Sequence, residues 1–411
     1  MADILHFANF AVTLHCPADE RRARIPMTHM TDNHATHAPV AKAGLQSQVI
    51  SLLRFPLIVA VVVMHSAVAD AVPSAAGMAG DAGRTLYEAV EALFVVGVCH
   101  VAVPAFFFIS GCLFFREGVF TAGMYKAKLK KRCRTLLVPY LFWNAAAAAL
   151  MFLGQTFMGG LSSGRQKLLA DYSVADWLGC FWSVGDTGMP MCYPLWFMRD
   201  LMVLALLSPL FYAAIRRAGA ALPLAAGALW VAGVTGRADF CVLSLEDMAF
   251  FSWGAYYGIR GKDFAASFRR LPAKAVAAAY AALVILPPVL RHAGVDDGGA
   301  LSRAAMFTGL VAAVLVAARM AEGGKKAGGR LTQSSFFIYA YHAMPTLLMV
   351  KTWARYVPAT GLTMTLGQLA IPALAVAAGV LLYMLSAKLM PRFTAVITGG
   401  RGKELKIKNE K

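Results

Sequence analysis

This sequence predicts an all-α polytopic membrane protein with about ten transmembrane helices and both termini in the cytoplasm. Three observations lead there. Hydrophobic residues fill 59% of the 411 positions and charged residues only 15%, and mean hydropathy is +0.59, a balance foreign to soluble cores. Apolar runs of spanning length recur along the chain, separated by short polar clusters. Of the 39 lysines and arginines, 29 fall on one alternating set of connecting segments, 8 on the other and 2 inside spans. Cytoplasmic loops carry the excess of positive charge, so the richer set, which includes both ends, is expected inside. The formal net charge of +17 does not point to nucleic acid, because the basic residues sit in clusters between apolar runs.

The first 45 residues differ from the rest. They hold no long apolar run and no cleavage site of small residues, so they do not read as a secretory signal. His6, His15, His29, His34 and His37 lack metal-ligand spacing, and the stretch is expected to be a disordered tail. Met27 or Met30 could be the true start. Residues 46–392 are expected to form one transmembrane domain, and 393–411, ending "GGRGKELKIKNEK", a basic cytoplasmic tail that can lie on anionic lipid.

Spans are expected at about 50–72, 92–115, 136–158, 195–215, 219–236, 244–260, 273–290, 304–320, 331–350 and 362–387. The first, "RFPLIVAVVVMHS", holds Arg54 and His65. Eleven residues at ~100° each return a helix to within ~20° of its starting face over ~16 Å. A fixed cation near one surface would therefore stand in line with an imidazole near mid-membrane. Ionisable groups at that depth are costly and usually face a functional interior. A snorkelling arginine with an interhelical histidine is the plainer alternative. The second span offers Glu91 and His100 as weaker candidates of the same kind.

Lys131, Arg132 and Arg134 precede the third span. They are either a positive-inside anchor or, with Arg54 at the same face, a site for a phosphorylated ligand. In the fourth, "PLWFMRDLMVL", Trp196 marks the outer interface and Arg199 and Asp200 follow. Adjacent helical residues point about 100° apart, so each is expected to pair with another helix. The ninth, "FFIYAYHAMP", places His342 mid-span with Tyr339 one turn before it. His342 is either an interhelical hydrogen bonder or part of one site with His65. The 36 glycines suit close helix packing. The seven cysteines form no zinc pattern, though Cys180 and Cys192 share an outer loop where they could pair. No metal site is expected, and no internal repeat is visible.

These residues carry a resemblance. Arg-x10-His in "RFPLIVAVVVMH", then "VPAFFFISGCLFF", "KKRCRTLLVPYLFWN", "PLWFMRDL" and "FFIYAYHAMP" occur in family order from about residue 48 to 392. The chain thereby resembles the acyltransferase-3 family of membrane O-acyltransferases. The resemblance implies a ten-helix enzyme of the inner (plasma) membrane. It would carry an acyl group, most often acetyl, from cytoplasmic acyl-CoA to a hydroxyl of a cell-surface or lipid-linked carbohydrate. It makes His65 the base or acyl-handling residue and gives Arg54 a place at the donor. Members carry Arg-x-x-Arg at the start of the third span; here Lys131 stands three before Arg134. An esterase-like domain that some members append is not expected, so transfer would finish within the membrane part.

The chemistry agrees with that implication. Arginines at the inner face, Arg54, Arg132 and Arg134 with Lys131, suit the phosphates of coenzyme A, and an apolar channel suits its arm. A histidine that titrates near neutrality can take a hydroxyl proton as the oxygen attacks a thioester. Tyr339, His342 or a backbone amide could meet the oxyanion. The expected partners are acyl-CoA, a carbohydrate or lipid-linked acceptor and membrane lipid, with no permanently bound cofactor. A carrier or flippase for a lipid-linked saccharide, with His65 and His342 in a proton relay, is the alternative. A structural or sensory membrane protein is the third reading.

Overall fold

Apolar runs with few breakers give helix wherever a span is expected. The computed structural model describes residues 44–67, 82–118, 120–157, 167–234 and 243–400, and all regular structure among them is helical. Most of the expected N-terminal tail and residues 401–411 lie outside the described residues.

Helix α1 is Leu45–Met64 and α2 runs Gly83–Phe114. α2 passes through wide turns at Val90–Val98 and a tight one at Cys99–Val101 before regular helix resumes. α3 (Ala122–Phe157) starts on a Thr121 side chain that accepts from the Met124 N–H. The short α4 (Val174–Gly179) is closed by a reciprocal Ser173–Asp176 cap. Hydrogen bonds from Lys167 and Ser173 hold the Asp176 carboxyl down at about 2.

Then come α5 (Trp196–Leu206), α6 (Ser208–Ala218), α7 (Ala221–Val231), α8 (Leu245–Ile259) and the small α9 (Phe264–Phe268). α10 (Ala273–His292), α11 (Ala300–Glu322), α12 (Gly329–Tyr341), α13 (Ala343–Tyr356), α14 (Gly361–Leu389) and α15 (Pro391–Ile397) complete the order. Six of these, α1, α2, α3, α10, α11 and α14, are long and apolar enough to cross a membrane, or seven crossings if the bent pair α5–α6 counts as one. All ten expected segments carry helix, but the fourth and ninth are broken and the fifth and sixth are short.

Prolines explain both breaks. Pro209 cannot donate to the Ala205 carbonyl, and Ser208 Oγ donates to that oxygen instead at 2.7 Å. The chain bends there by 63°. Pro345 likewise cannot serve the carbonyl of Tyr341, and the helix is interrupted at His342.

The first span is displaced from its expected place. Helix occupies Leu45–Met64 rather than 50–72, which puts Arg54 near its middle and His65 just past its end. The N-terminal extension is possible because Gln46 is satisfied, accepting from the Phe264 N–H at 3.1 Å and reaching Cys112 Sγ at 3.6 Å. At the far end Ser66 Oγ donates to the Val62 carbonyl at 2.7 Å and closes the last turn.

Lipid is as apolar as leucine, so helices in a bilayer are held by close packing rather than by exclusion of water. The tightest crossing joins α8 to the second half of α2. A methyl at Gly254 would lie 1.8 Å from the Phe108 carbonyl oxygen, and one at Gly111 2.1 Å from that of Phe251. Gly254 and Gly258 are four apart, so one face of α8 is bare backbone. α1 is central, packed by α11, α12, α14 and the second half of α2. By contrast α10 buries only Pro287.

Packed helix continues past residue 390. α15 is docked, with Thr394 and Ile397 buried, the Trp143 indole donating to the Ile397 carbonyl at 3.0 Å and Ser386 Oγ 2.5 Å from Thr394 Oγ1. Cys180 and Cys192 are both buried free thiols.

Candidate functional site

α1 and α12 pack side by side and deliver their ends to one place. His65 follows α1 and His342 follows α12, and the two imidazoles stack with centroids 5.4 Å apart and planes at 27°. His342 is thus a direct neighbour of His65. Tyr193 meets the His65 ring edge-on at 5.0 Å.

His342 is fully buried. Its Nδ1–H donates to the Tyr339 carbonyl at 2.8 Å and the Ile338 carbonyl at 3.2 Å. That fixes the proton on Nδ1 and leaves Nε2 as an acceptor with no partner among the described residues. The Tyr339 hydroxyl donates to the Pro194 carbonyl at 2.6 Å. It therefore ties α12 to the turn that carries Tyr193, and an oxyanion role would require breaking that bond.

The loop before Tyr193 is held by buried polar groups. Asn144 accepts from the Cys192 N–H at 2.8 Å, and the Tyr140 hydroxyl donates to the Phe181 carbonyl at 2.7 Å. Arg199 and Asp200, expected to pair with other helices, pair with each other, Nε to Oδ1 at 2.9 Å, with both side chains buried. An arginine stem is long enough to curl back across the angle between neighbours. The same guanidinium also donates to the Trp182 carbonyl and, at 2.9 Å, to that of Gly188. The pair is thus a staple for the loop.

Gln368 on α14 is a further polar residue that sequence reasoning missed. It is buried, and its Nε2–H donates to the Val63 carbonyl, two residues before His65, at 3.1 Å. A single glutamine within the apolar run "TLGQLAIPALAV" was the available signal. His100 spends its Nδ1–H on the Val95 carbonyl of its own helix at 2.9 Å.

The basic candidates are not gathered in the same way. Arg54 is exposed on α1. Lys131 and Arg134 are exposed, while Arg132 is half-buried with its guanidinium 5.6 Å from the Phe114 ring centre. Their turn of α3 packs on α5, whereas the principal neighbours of α1 are α2, α11, α12 and α14. The structure unites His65, His342 and Tyr339 and leaves the arginines on separate elements.

Comparison with known proteins finds a family and a relative. Residues 48–386 match the family model described as "Acyltransferase domain". The chain is also 29% identical over 320 residues to "Succinoglycan biosynthesis protein ExoH" of Rhizobium meliloti (strain 1021), covering 76% of this chain and 80% of that protein. No solved structure matches.

Proposed function

The chain belongs to the acyltransferase family whose domain model spans residues 48–386, and we propose that it O-acylates a polysaccharide, or its lipid-linked precursor, with an acyl group taken from cytoplasmic acyl-CoA. Acetyl is the first candidate. The polysaccharide acceptor rests on the similarity to a succinoglycan biosynthesis protein. The observation that carries the chemistry is the stacked pair His65–His342, with a buried imidazole nitrogen left free to accept.

In this reading an acceptor hydroxyl gives its proton to an imidazole, His65 or the free Nε2 of His342, as its oxygen attacks the thioester carbonyl. The carbon–oxygen bond forms, the carbon–sulfur bond breaks, and the thiolate leaves with the returned proton as coenzyme A. Tyr339 positions rather than reacts, since its hydroxyl is committed to Pro194. Lys131, Arg132 and Arg134 at the inner face, and Arg54 midway along α1, would hold the donor's phosphates. The transmembrane domain would cross the plasma membrane ten times with both ends in the cytoplasm.

Purified protein in lipid nanodiscs, given acetyl-CoA and de-O-acylated succinoglycan oligosaccharide, should release free thiol and yield an alkali-labile ester. No thiol release from acetyl-, propionyl- or succinyl-CoA at any acceptor concentration would overturn the proposal.

A further inference from the structure

Resting on that enzymatic reading, a second feature names where the acceptor binds. Beyond His342, α13 presents Thr346, Val350 and Trp353 along one face, at spacings of four, four and three residues. The facing stripe of α14 is Met364, Gln368 and Ile371. Val350, Met364 and Ile371 are buried together with Tyr87, and Trp353 packs against them, so the two stripes oppose each other. The connection between α13 and α14 is short, which puts Trp353 and Met364 nearest the turn and His342 deepest.

This contact is studded with polar atoms that have no partner. Thr346 is fully buried and Gln368 almost so. Thr346 Oγ1, Gln368 Oε1 and Trp353 Nε1 make no hydrogen bond among the described residues, and neither does Nε2 of His342 at the inner end. An unmet buried polar group is destabilising, so a row of four between two helices is costly unless something fills it. No lysine, arginine, aspartate or glutamate is buried on either stripe, which excludes a phosphate site.

What remains suits a neutral, hydroxyl-rich ligand. The amide oxygen and imidazole nitrogen accept, the indole N–H donates, the threonine hydroxyl does either, and the indole offers a face to a sugar ring. We propose that Thr346, Gln368 and Trp353 form the acceptor subsite, a stripe between α13 and α14 that receives a sugar and leads its reacting hydroxyl to the His65–His342 pair. The half-buried Trp353 marks its mouth.

Gln368 also holds the Val63 carbonyl, so Thr346→Val and Trp353→Phe are the cleaner variants and Gln368→Met a supporting one. Each removes a polar atom proposed to meet the sugar, Thr346→Val with little change of shape and Trp353→Phe with an aromatic ring kept. The assay follows acetyl transfer to de-O-acylated succinoglycan oligosaccharide, with acceptor-free acetyl-CoA hydrolysis measured alongside. The Michaelis constant for the oligosaccharide should rise about threefold to tenfold per variant, with that for acetyl-CoA and the hydrolysis rate unchanged. Unchanged acceptor dependence in both Thr346→Val and Trp353→Phe overturns the subsite, as does a parallel loss of acceptor-free hydrolysis. A wild-type protein that transfers nothing from any short acyl-CoA overturns the enzymatic reading itself, which is a different result.

Discussion

Two stacked histidines need not share one task. The Nδ1 proton of His342 is committed to two backbone carbonyls, so only Nε2 can meet a reactant. His342→Asn keeps an amide N–H where Nδ1 stands and deletes Nε2. We expect it to insert and unfold as wild type while acyl transfer falls by the ~10²–10⁴-fold that general-base catalysis supplies. His65→Ala should lose at least as much yet still accumulate, since an intramembrane hydrogen bond averages only ~0.6 kcal/mol. Turnover near wild type in a well-expressed His342→Asn would reduce His342 to a structural anchor and leave His65 alone as base. Both histidines were legible in the sequence because an ionisable group inside an apolar run is costly. Gln368, Thr346 and Tyr193 were not, since a neutral polar side chain perturbs hydropathy little and its meaning lies in a partner on another helix. The Arg199–Asp200 pair was misjudged for a related reason. Helical periodicity fixes where a Cβ points, not where a long side chain ends.

Among the elements, glycine and proline decide how helices meet. Ten helical segments could be placed from apolar runs, but lengths and breaks could not, because a hydropathy window averages over the very residues that interrupt a helix. Pro209 and Pro345 stood in plain view. Their effect depends on whether the orphaned carbonyl finds another donor, as Ala205 does in Ser208. The α2–α8 crossing supplies a direct test of the packing argument. Gly254→Ala places a methyl 1.8 Å from a backbone oxygen of Phe108, and backbone cannot step aside as a side chain tip can. We expect the folded yield to drop sharply and the midpoint of thermal unfolding to fall. Gly123→Ala on α3, where nothing lies within 4 Å of the added carbon, should leave both unchanged. Equal yields for the two variants, read by size-exclusion fluorescence, would contradict close backbone approach as what holds these helices together.

For the molecule as a whole, charge distribution ties orientation to chemistry. With 29 basic residues on one set of segments and 8 on the other, the proposed orientation puts Tyr125 on the cytoplasmic side, along with Lys131, Arg132 and Arg134. A cysteine introduced at position 125 of a cysteine-free protein should therefore resist impermeant reagents added to intact cells. If that orientation holds, the donor reaches the arginines first. Charge-assisted hydrogen bonds to phosphate are worth ~1.5–3 kcal/mol. Arg54→Ala or Arg134→Ala should then raise the Michaelis constant for acyl-CoA about tenfold to hundredfold, with acceptor dependence untouched. Lysine keeps the charge but not the two-pronged geometry, so it should recover only part of the loss. A topology anchor behaves otherwise, because lysine then restores everything and alanine lowers insertion instead of donor affinity. Titration of acetyl-CoA against the purified variants at matched protein levels separates the two. An unchanged donor dependence in both alanine variants removes the phosphate role from these arginines without touching the proposal for the histidine pair.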